Sequence, residues 1–294
     1  MMKRIIIFVG IVIAAISIAE TNPPSVYFTS ILGQLKISSE EGYLIIGDMW
    51  ASNLPQSASG GKIIFSKGGS GLYEFKWTTG TGEPPNTEMK ISQAVDLKTG
   101  QHEGMPTITE PGDYSLDFFV EDRKFCTFPF KVSKLDSFIF MEGAWSDWGY
   151  LTYPDADPNR ELSWKIWLRN YSAEPKKEVK VFVEIVRDKD KKLICSANPN
   201  VTWTLQREWE RFQFDMMNPP GHPSGEEYTK AKYLLESDGS YTLTMKIGGN
   251  IYGTWKFNVK GGKPEYVGRA LRGKTDPLTF VEGGGTAFWY EKQK

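Results

Sequence analysis

Apolar and polar side chains alternate along the chain at 239–247. The side chains of a strand point to opposite faces with period two, so this pattern predicts a half-buried strand of an antiparallel sheet. The link Gly248-Gly249-Asn250 supplies the positive φ angles that a tight hairpin needs, and a return strand follows it. The apolar face of the predicted hairpin consists of Tyr241, Leu243, Met245, Ile247, Trp255, Phe257 and Val259.

A closely similar stretch occurs earlier in the chain, at 112–132. The offset between the two stretches stays constant, without a gap, through both strands of the hairpin. The residues that recur identically are Gly112/Gly239, Tyr114/Tyr241, Leu116/Leu243, Thr127/Thr254, Phe130/Phe257 and Val132/Val259. Self-similarity at a fixed offset is the signature of a duplicated unit. We therefore predict two tandem units, each of which closes with this hairpin.

Short apolar runs, bounded by turn residues, fill the rest of both units. Such runs at close spacing, without long helical patterns, are typical of an all-β sandwich. One short helix is expected near 228–235, where Tyr228, Ala231 and Leu235 share a helical face. The predicted strands are 26–32, 43–50, 62–66, 72–78 and 87–97 in the first unit, and 138–141, 161–169, 179–187, 193–195, 201–205 and 208–214 in the second.

Each repeated hairpin begins with the motif Gly-x-Tyr-x-Leu. The motif resembles the tyrosine corner of immunoglobulin-like (Ig-like) sandwiches, in which the tyrosine lies two residues before a core cysteine. Leu116 and Leu243 occupy the cysteine position, so the usual disulfide between the sheets is absent. The resemblance covers only the last part of each unit. It implies two tandem antiparallel Ig-like β-sandwiches, similar to bacterial Ig-like modules, and it carries over no activity.

Residues 1–19 have the three parts of a secretory signal peptide. Lys3 and Arg4 form the positive region, 5–16 is apolar, and Ser17-Ile18-Ala19 is a cleavage site of the small-x-small type. The apolar run is short for a spanning helix, which needs about 20 residues. We therefore predict an exported protein, periplasmic or extracellular, with no membrane span in the mature chain.

The predicted organisation is a signal peptide at 1–19, Ig-like sandwiches at 20–134 and 135–262, and a tail at 263–294. Pro129 interrupts the first return strand, and since proline cannot donate a ladder hydrogen bond, that strand is expected at a sheet edge. In the tail, 278–282 and 286–291 predict an extra hairpin. Its aromatic strand either covers the second unit, which is the simpler reading, or binds a partner chain by β-addition.

The charge and cysteine content narrow the function classes. The 35 basic and 36 acidic residues nearly cancel, which gives no reason to expect nucleic acid as a partner. Cys126 and Cys195 are the only cysteines, and we expect two separately buried thiols in preference to a bridge between the units. No cofactor is predicted, because no nucleotide-binding or zinc-binding spacing is present.

Aromatic residues beside a carboxylate are concentrated at the start of the second unit. Aromatic rings beside a carboxylate can stack on sugars or anchor a protein partner, although tryptophans are also common in sandwich cores. The binding hypothesis requires these rings to form an exposed patch. The predicted ligand-binding residues are Trp145, Asp147, Trp148, Tyr150 and Tyr153.

Catalytic signals are weak. The loop at 155–161 alternates oxygen ligands as a calcium loop does, but it lacks the required glycine and the final glutamate, so no metal site is predicted. No nucleophile motif occurs. We predict a non-catalytic binding or structural module with a protein or glycan partner at the cell surface. The alternatives are a carbohydrate-active enzyme, which needs a carboxylate pair that the sequence does not single out, and a scaffold that assembles through edge strands near Pro129 or in the tail.

Overall fold

The computed structural model describes residues 27–28, 31–52, 54, 58–82, 86–152, 158–172, 174–265 and 287–293. The predicted signal peptide, at 1–19, and the first strand of the predicted tail hairpin, at 278–282, lie outside these residues. The described chain is all-β, as predicted, and its antiparallel sheets form two sandwich-like bodies. We call them the first body and the second body.

The first body consists of a nine-stranded sheet and a small two-stranded sheet. One short helix, α1, precedes the small sheet. The elements are β1 (Tyr27–Phe28), α1 (Ile31–Gln34), β2 (Leu35–Ile37), β3 (Leu44–Ile46), β4 (Met49–Ser52), β5 (Gly60–Lys67), β6 (Ser70–Thr79), β7 (Asn86–Asp96), β8 (His102–Glu103), β9 (Gly112–Val120), β10 (Arg123–Leu135) and β11 (Phe138–Glu142).

The second body is a ten-stranded sheet. A 3-10 turn at Ala144–Asp147 leads into it. The elements are β12 (Trp148–Thr152), β13 (Ser163–Leu168), β14 (Lys176–Arg187), β15 (Lys192–Ala197), β16 (Thr202–Gln206), β17 (Glu210–Met217), α2 (Ala231–Leu235), β18 (Gly239–Ile247), β19 (Asn250–Lys260), β20 (Lys263–Glu265) and β21 (Ala287–Glu291).

The two bodies share one strand order. The first sheet runs β1-β4-β7-β6-β5-β9-β10-β11, and the second runs β12-β13-β17-β15-β14-β18-β19-β20, with β21 added beside β12. When β2, β3 and β8 of the first body and β16 of the second are set aside, strands taken in chain order occupy the same places in both sheets. The internal similarity therefore extends well beyond the hairpin that the sequence displays.

The repeated hairpins also have the same register. Gly112 pairs with Val132, and their counterparts in the second copy, Gly239 and Val259, pair in the same way. Both hairpins contain a bulge at the same place, which leaves Phe125 out of the ladder of the first and Tyr252 out of the ladder of the second. The recurring residues therefore encode the same pairing, including its irregularity.

The tyrosines of the repeated motif are buried and bonded alike. The Tyr114 hydroxyl donates a hydrogen bond to the main-chain oxygen of Glu110 at 2.8 Å, and the Tyr241 hydroxyl donates to that of Ser237 at 2.6 Å. Each bond reaches back four positions along the chain. This is the arrangement that defines a tyrosine corner.

Each tyrosine belongs to a set of three packed rings, and the third ring has a different origin in each body. In the first body Tyr114 and Phe130 pack with Phe65 of β5, at centroid distances of 5.3 to 6.1 Å. In the second body Tyr241 stacks on Phe257 at 5.5 Å, and Phe257 stacks on Tyr290 of β21 at 4.8 Å. The second core is therefore completed by a strand from the end of the chain.

Several expectations about the strands are corrected. The strand that we expected to open the second unit, β11, pairs with β10 and is the last strand of the first sheet. For the same reason β10 is not an edge strand. β11 pairs only with residues 131–135, so Pro129 lies where β10 has a ladder partner on one side alone.

The helix and the tail are placed as follows. α2 begins only at Ala231, because Tyr228 instead pairs with Met217 in a β-bridge. β21 pairs with β12 along five residues, which confirms the simpler prediction that the aromatic strand of the tail covers its own body. Both cysteines are free, as expected, and burial raises the pKa of the Cys195 thiol to about 12.

Replacing either corner tyrosine by phenylalanine should cost about 1 to 2 kcal/mol of unfolding free energy, because each change removes one hydrogen bond and keeps the ring. Tyr241→Phe should cost at least as much as Tyr114→Phe, since the Tyr241 hydroxyl interacts with the Arg187 guanidinium in addition to its main-chain bond. Urea unfolding followed by circular dichroism measures both. Tyr228→Phe, at an exposed ring, is the control and should change stability by less than about 0.5 kcal/mol. Equal behaviour of all three variants would contradict the prediction.

Candidate functional site

The exposed aromatic patch predicted at 145–153 is not present in the described residues. Trp145, Trp148 and Tyr150 are at most 2% exposed. Tyr153 lies outside the described residues. The prediction is wrong for the three described rings, because partners far away in the sequence cover them.

Trp145 is buried between the two bodies. Its ring stacks on Phe128 of β10 at 5.4 Å and meets the edge of Trp209 at 5.8 Å. Trp148 and Tyr150 belong to β12, which lies between β13 and β21 and is therefore an interior strand. Neither ring is available to a ligand.

Asp147 has a structural role in the described chain. Its carboxylate pairs with Lys292 at 3.3 Å, and its main-chain oxygen accepts hydrogen bonds from the Trp255 indole and from the Lys292 N–H. The residue therefore ties the start of β12 to the segment that follows β21.

Buried contacts join the two bodies at a region that we call the junction. The Trp209 indole N–H donates to the main-chain oxygen of Met141. The Arg207 guanidinium pairs with Glu40 at 3.0 Å and lies over the ring of Phe138 at 3.5 Å. These contacts attach the segment between β16 and β17 of the second body to the first body.

A cavity of about 440 Å³ opens at the junction, and we call it the junction groove. Both bodies contribute to it. The buried rings of Tyr114, Phe130 and Trp209 line its floor. Its polar or exposed margin consists of Asp113, Pro129, Lys131, Glu142, Ser146 and Tyr171. A volume of this size is typical of small-molecule sites, which span about 300 to 1,000 Å³.

Tyr171 is the exposed aromatic ring of the groove. It is 52% exposed, and the guanidinium of Arg169 lies over one side of its ring, 3.9 Å from the ring centroid. The Tyr171 and Trp209 rings form a T-shaped pair with their centroids 6.1 Å apart. Arg169 is itself buried and lies over Phe140 at 4.3 Å. Partial removal from water raises the pKa of the Tyr171 hydroxyl, with Glu142 adding to the effect and Arg169 opposing it.

Glu142 provides a carboxylate at the margin of the groove. Its side chain is 41% exposed. One oxygen, Oε1, accepts hydrogen bonds from Arg169 Nη2 at 2.9 Å and from Ser133 Oγ at 2.8 Å. Gly143 follows it, and a β-carbon there would lie 1.9 Å from the Trp145 ring, so only glycine allows this close approach.

The sequence did not identify this site, because its residues are scattered along the chain from Asp113 to Trp209 and belong to both bodies. Tyr171 and Trp209 lie outside the strands, in segments without a binding motif. Asp113 and Lys131 are partners across the repeated hairpin, but their pairing says nothing about a second body beside them. The aromatic richness at 145–171 was the available signal, and it marked the junction rather than a free surface.

A second cavity, of about 490 Å³, lies beside the proline-rich loop at 219–224. His222 Nδ1 is 2.8 Å from Ser224 Oγ there. The pair is part of a local turn, since Ser224 N–H donates to the same nitrogen and Ser224 Oγ accepts from the Glu226 N–H. A serine held in this way caps a turn and lacks the oriented base of a catalytic triad.

Searches for relatives gave no match among protein-family models, curated proteins or solved structures. Within the described ranges, no group of three or more histidine, cysteine or acidic side chains could hold a metal ion. Asp155 and Asp157 of the calcium-like loop lie outside those ranges. No helix in the part of the chain that the structure describes is long and apolar enough to cross a membrane.

Proposed function

We propose that the chain is an exported, non-catalytic binding protein whose two Ig-like sandwiches hold the junction groove between them. The groove carries the proposal, because it combines an exposed aromatic ring, an apolar floor and a few polar side chains at one concave site. Ligand sites are typically built in this way. The ligand is a molecule of the cell surface or exterior, either a glycan or a segment of a protein.

Two observations support the Ig-like assignment. The strand order of each body agrees with an ABED sheet and a CFG sheet joined by the hairpin between strands C and D. Both tyrosine corners lie at the start of the sixth strand of that order, where Ig-like domains have theirs. Export rests on the signal-peptide pattern at 1–19.

The contacts at the junction favour a ligand-binding role over a mere connection between the two bodies. Its residues fix the position of Tyr171 before any ligand arrives, because Arg169 and Trp209 contact the ring on two sides. A ring that is already ordered loses little freedom on binding, which leaves more of the contact energy for affinity.

The proposal is tested with mature protein, residues 20–294, on two immobilised probe sets, an oligosaccharide array and a displayed library of random peptides. We expect hits in at least one set that Tyr171→Ala weakens about tenfold or more. Tyr228→Ala, at another exposed tyrosine (38%), is the matched control and should leave the hits unchanged. If neither set gives hits that depend on Tyr171, the proposed function is wrong.

One observation favours a second candidate function. Asp113 and Glu142 both line the junction groove, and glycoside hydrolysis requires two carboxylates that face one groove. This second candidate is the carbohydrate-active enzyme given above as an alternative, with Asp113 and Glu142 as its carboxylate pair. Release of reducing ends from a bound oligosaccharide, abolished by Asp113→Asn and by Glu142→Gln, would establish it in place of simple binding.

A further inference from the structure

We infer that the junction groove takes an uncharged sugar ring, which stacks its apolar face on Tyr171 and donates a hydroxyl hydrogen bond to Glu142. The inference rests on the proposed function and names the class of its ligand. It is carried by the hydrogen bonding of Glu142, the support under Tyr171 and the balance of charge around the groove.

One of the two carboxylate oxygens of Glu142 can accept a hydrogen bond from a ligand. Among the described residues Oε1 accepts two hydrogen bonds, and Oε2 has no partner although the side chain is partly exposed and lines the groove. A carboxylate held on one oxygen by a guanidinium and a hydroxyl is fixed in direction. Its second oxygen therefore presents an acceptor to the groove, and a ligand must bring a donor to it.

Tyr171 offers a flat apolar surface next to that acceptor. The Arg169 guanidinium occupies one side of the ring at 3.9 Å, and about half of the residue remains exposed. The guanidinium is itself held by Glu142, so the ring and the acceptor belong to one connected set of contacts. A sugar ring has an apolar face and hydroxyl groups along its edge, which matches a stacking surface beside an acceptor.

The charges of the groove select against charged ligands. Asp113 and Lys131 face each other across the hairpin, and Glu142 is paired with Arg169. The two negative and two positive side chains cancel. A charged ligand would lose hydration on entering a groove whose side-chain charges cancel, and no net field there would offset that cost. A neutral donor avoids this cost.

The test measures affinity for uncharged oligosaccharides of different linkage, with sulfated glycans, uronic acid polymers and peptides as the other arms. We expect an uncharged oligosaccharide to bind. Tyr171→Ala should weaken that binding by about tenfold or more, and Tyr171→Phe should stay within about threefold of the unmodified protein, because it keeps the ring. Glu142→Gln should weaken it about tenfold, since a charged acceptor is replaced by a neutral amide that accepts a weaker hydrogen bond.

The salt dependence of the binding affinity tests the inference without a protein variant. Affinity for a neutral sugar should stay within about twofold between roughly 0.05 and 0.5 M salt, whereas a ligand held by charge weakens steeply over that range. Groove-dependent binding of peptides or charged glycans alone would overturn the inference and leave the proposed function standing. Binding of neutral sugars that is unaffected by Tyr171→Ala would overturn the inference as well. Absence of any groove-dependent binding would remove both.

Discussion

Removal of residues 287–294 should destabilise the second body by about 5 kcal/mol or more, since the deletion combines a lost buried aromatic ring with lost strand pairing. Tyr290 is buried and stacks on Phe257 at 4.8 Å. The five-residue ladder between β21 and β12 is lost with it, as are the bonds from Lys292 N–H to Asp147 and from Gln293 N–H to Thr254. The free energy of unfolding, measured in urea, should fall accordingly.

The single change Tyr290→Ala separates packing from pairing. It should cost about 3 to 5 kcal/mol, as large-to-small changes of buried aromatic residues do. Glu291→Ala is the matched control on the same strand, and it should cost less than about 1 kcal/mol because the side chain is only partly buried. A loss of under about 1 kcal/mol on truncation would show that β21 is not part of the second core.

Trp209→Ala should cost about 3 to 5 kcal/mol and should loosen the connection between the bodies. The ring packs edge-on against Trp145 and Tyr171, and its N–H donates to the main-chain oxygen of Met141 in the first sheet. Its loss leaves the bodies joined by the contacts of Arg169, Arg207 and Glu208 with the first body. Calorimetry should then resolve two transitions where the unmodified protein has one.

Trp203→Ala is the control for this change. Trp203 packs edge-on against Phe212 at 5.6 Å and Phe214 at 4.9 Å, and all three residues belong to the second body. The variant should lower the stability of that body without separating the transitions. One transition in both variants, with similar shifts in Tm, would mean that Trp209 does not couple the bodies.

The repeated hairpin shows how far local patterns reach. Its period-two alternation predicts which side chains of β9 and β18 are buried, and the structure places Tyr114, Leu116, Tyr241 and Leu243 in the cores. The constant offset predicts identical pairing, and the registers agree down to the bulge. Such features depend on residues close in sequence, so a local pattern suffices to predict them.

The aromatic segment after β11 shows where local patterns fail. The sequence of a segment does not show whether its aromatic rings are exposed or buried. Only their neighbours in the tertiary structure decide this. Trp145 is buried by Phe128, which belongs to a strand of the first body, and by Trp209, which lies far beyond it in the chain. The expectation that β11 opens the second unit failed for the same reason, because the partner of β11 is decided by the sheet and not by β11 itself.

The sequence by itself therefore determined the all-β class, the two related hairpins and the buried faces of their strands, because strand periodicity and hydrogen bonds between near neighbours act within a few residues. Only the tertiary structure decided that β21 completes the second core and that Trp145 lies inside the junction. It also brought Tyr171 and Glu142 together at one groove. Those outcomes depend on contacts between residues that are far apart in the chain, and no short stretch of the sequence specifies such contacts.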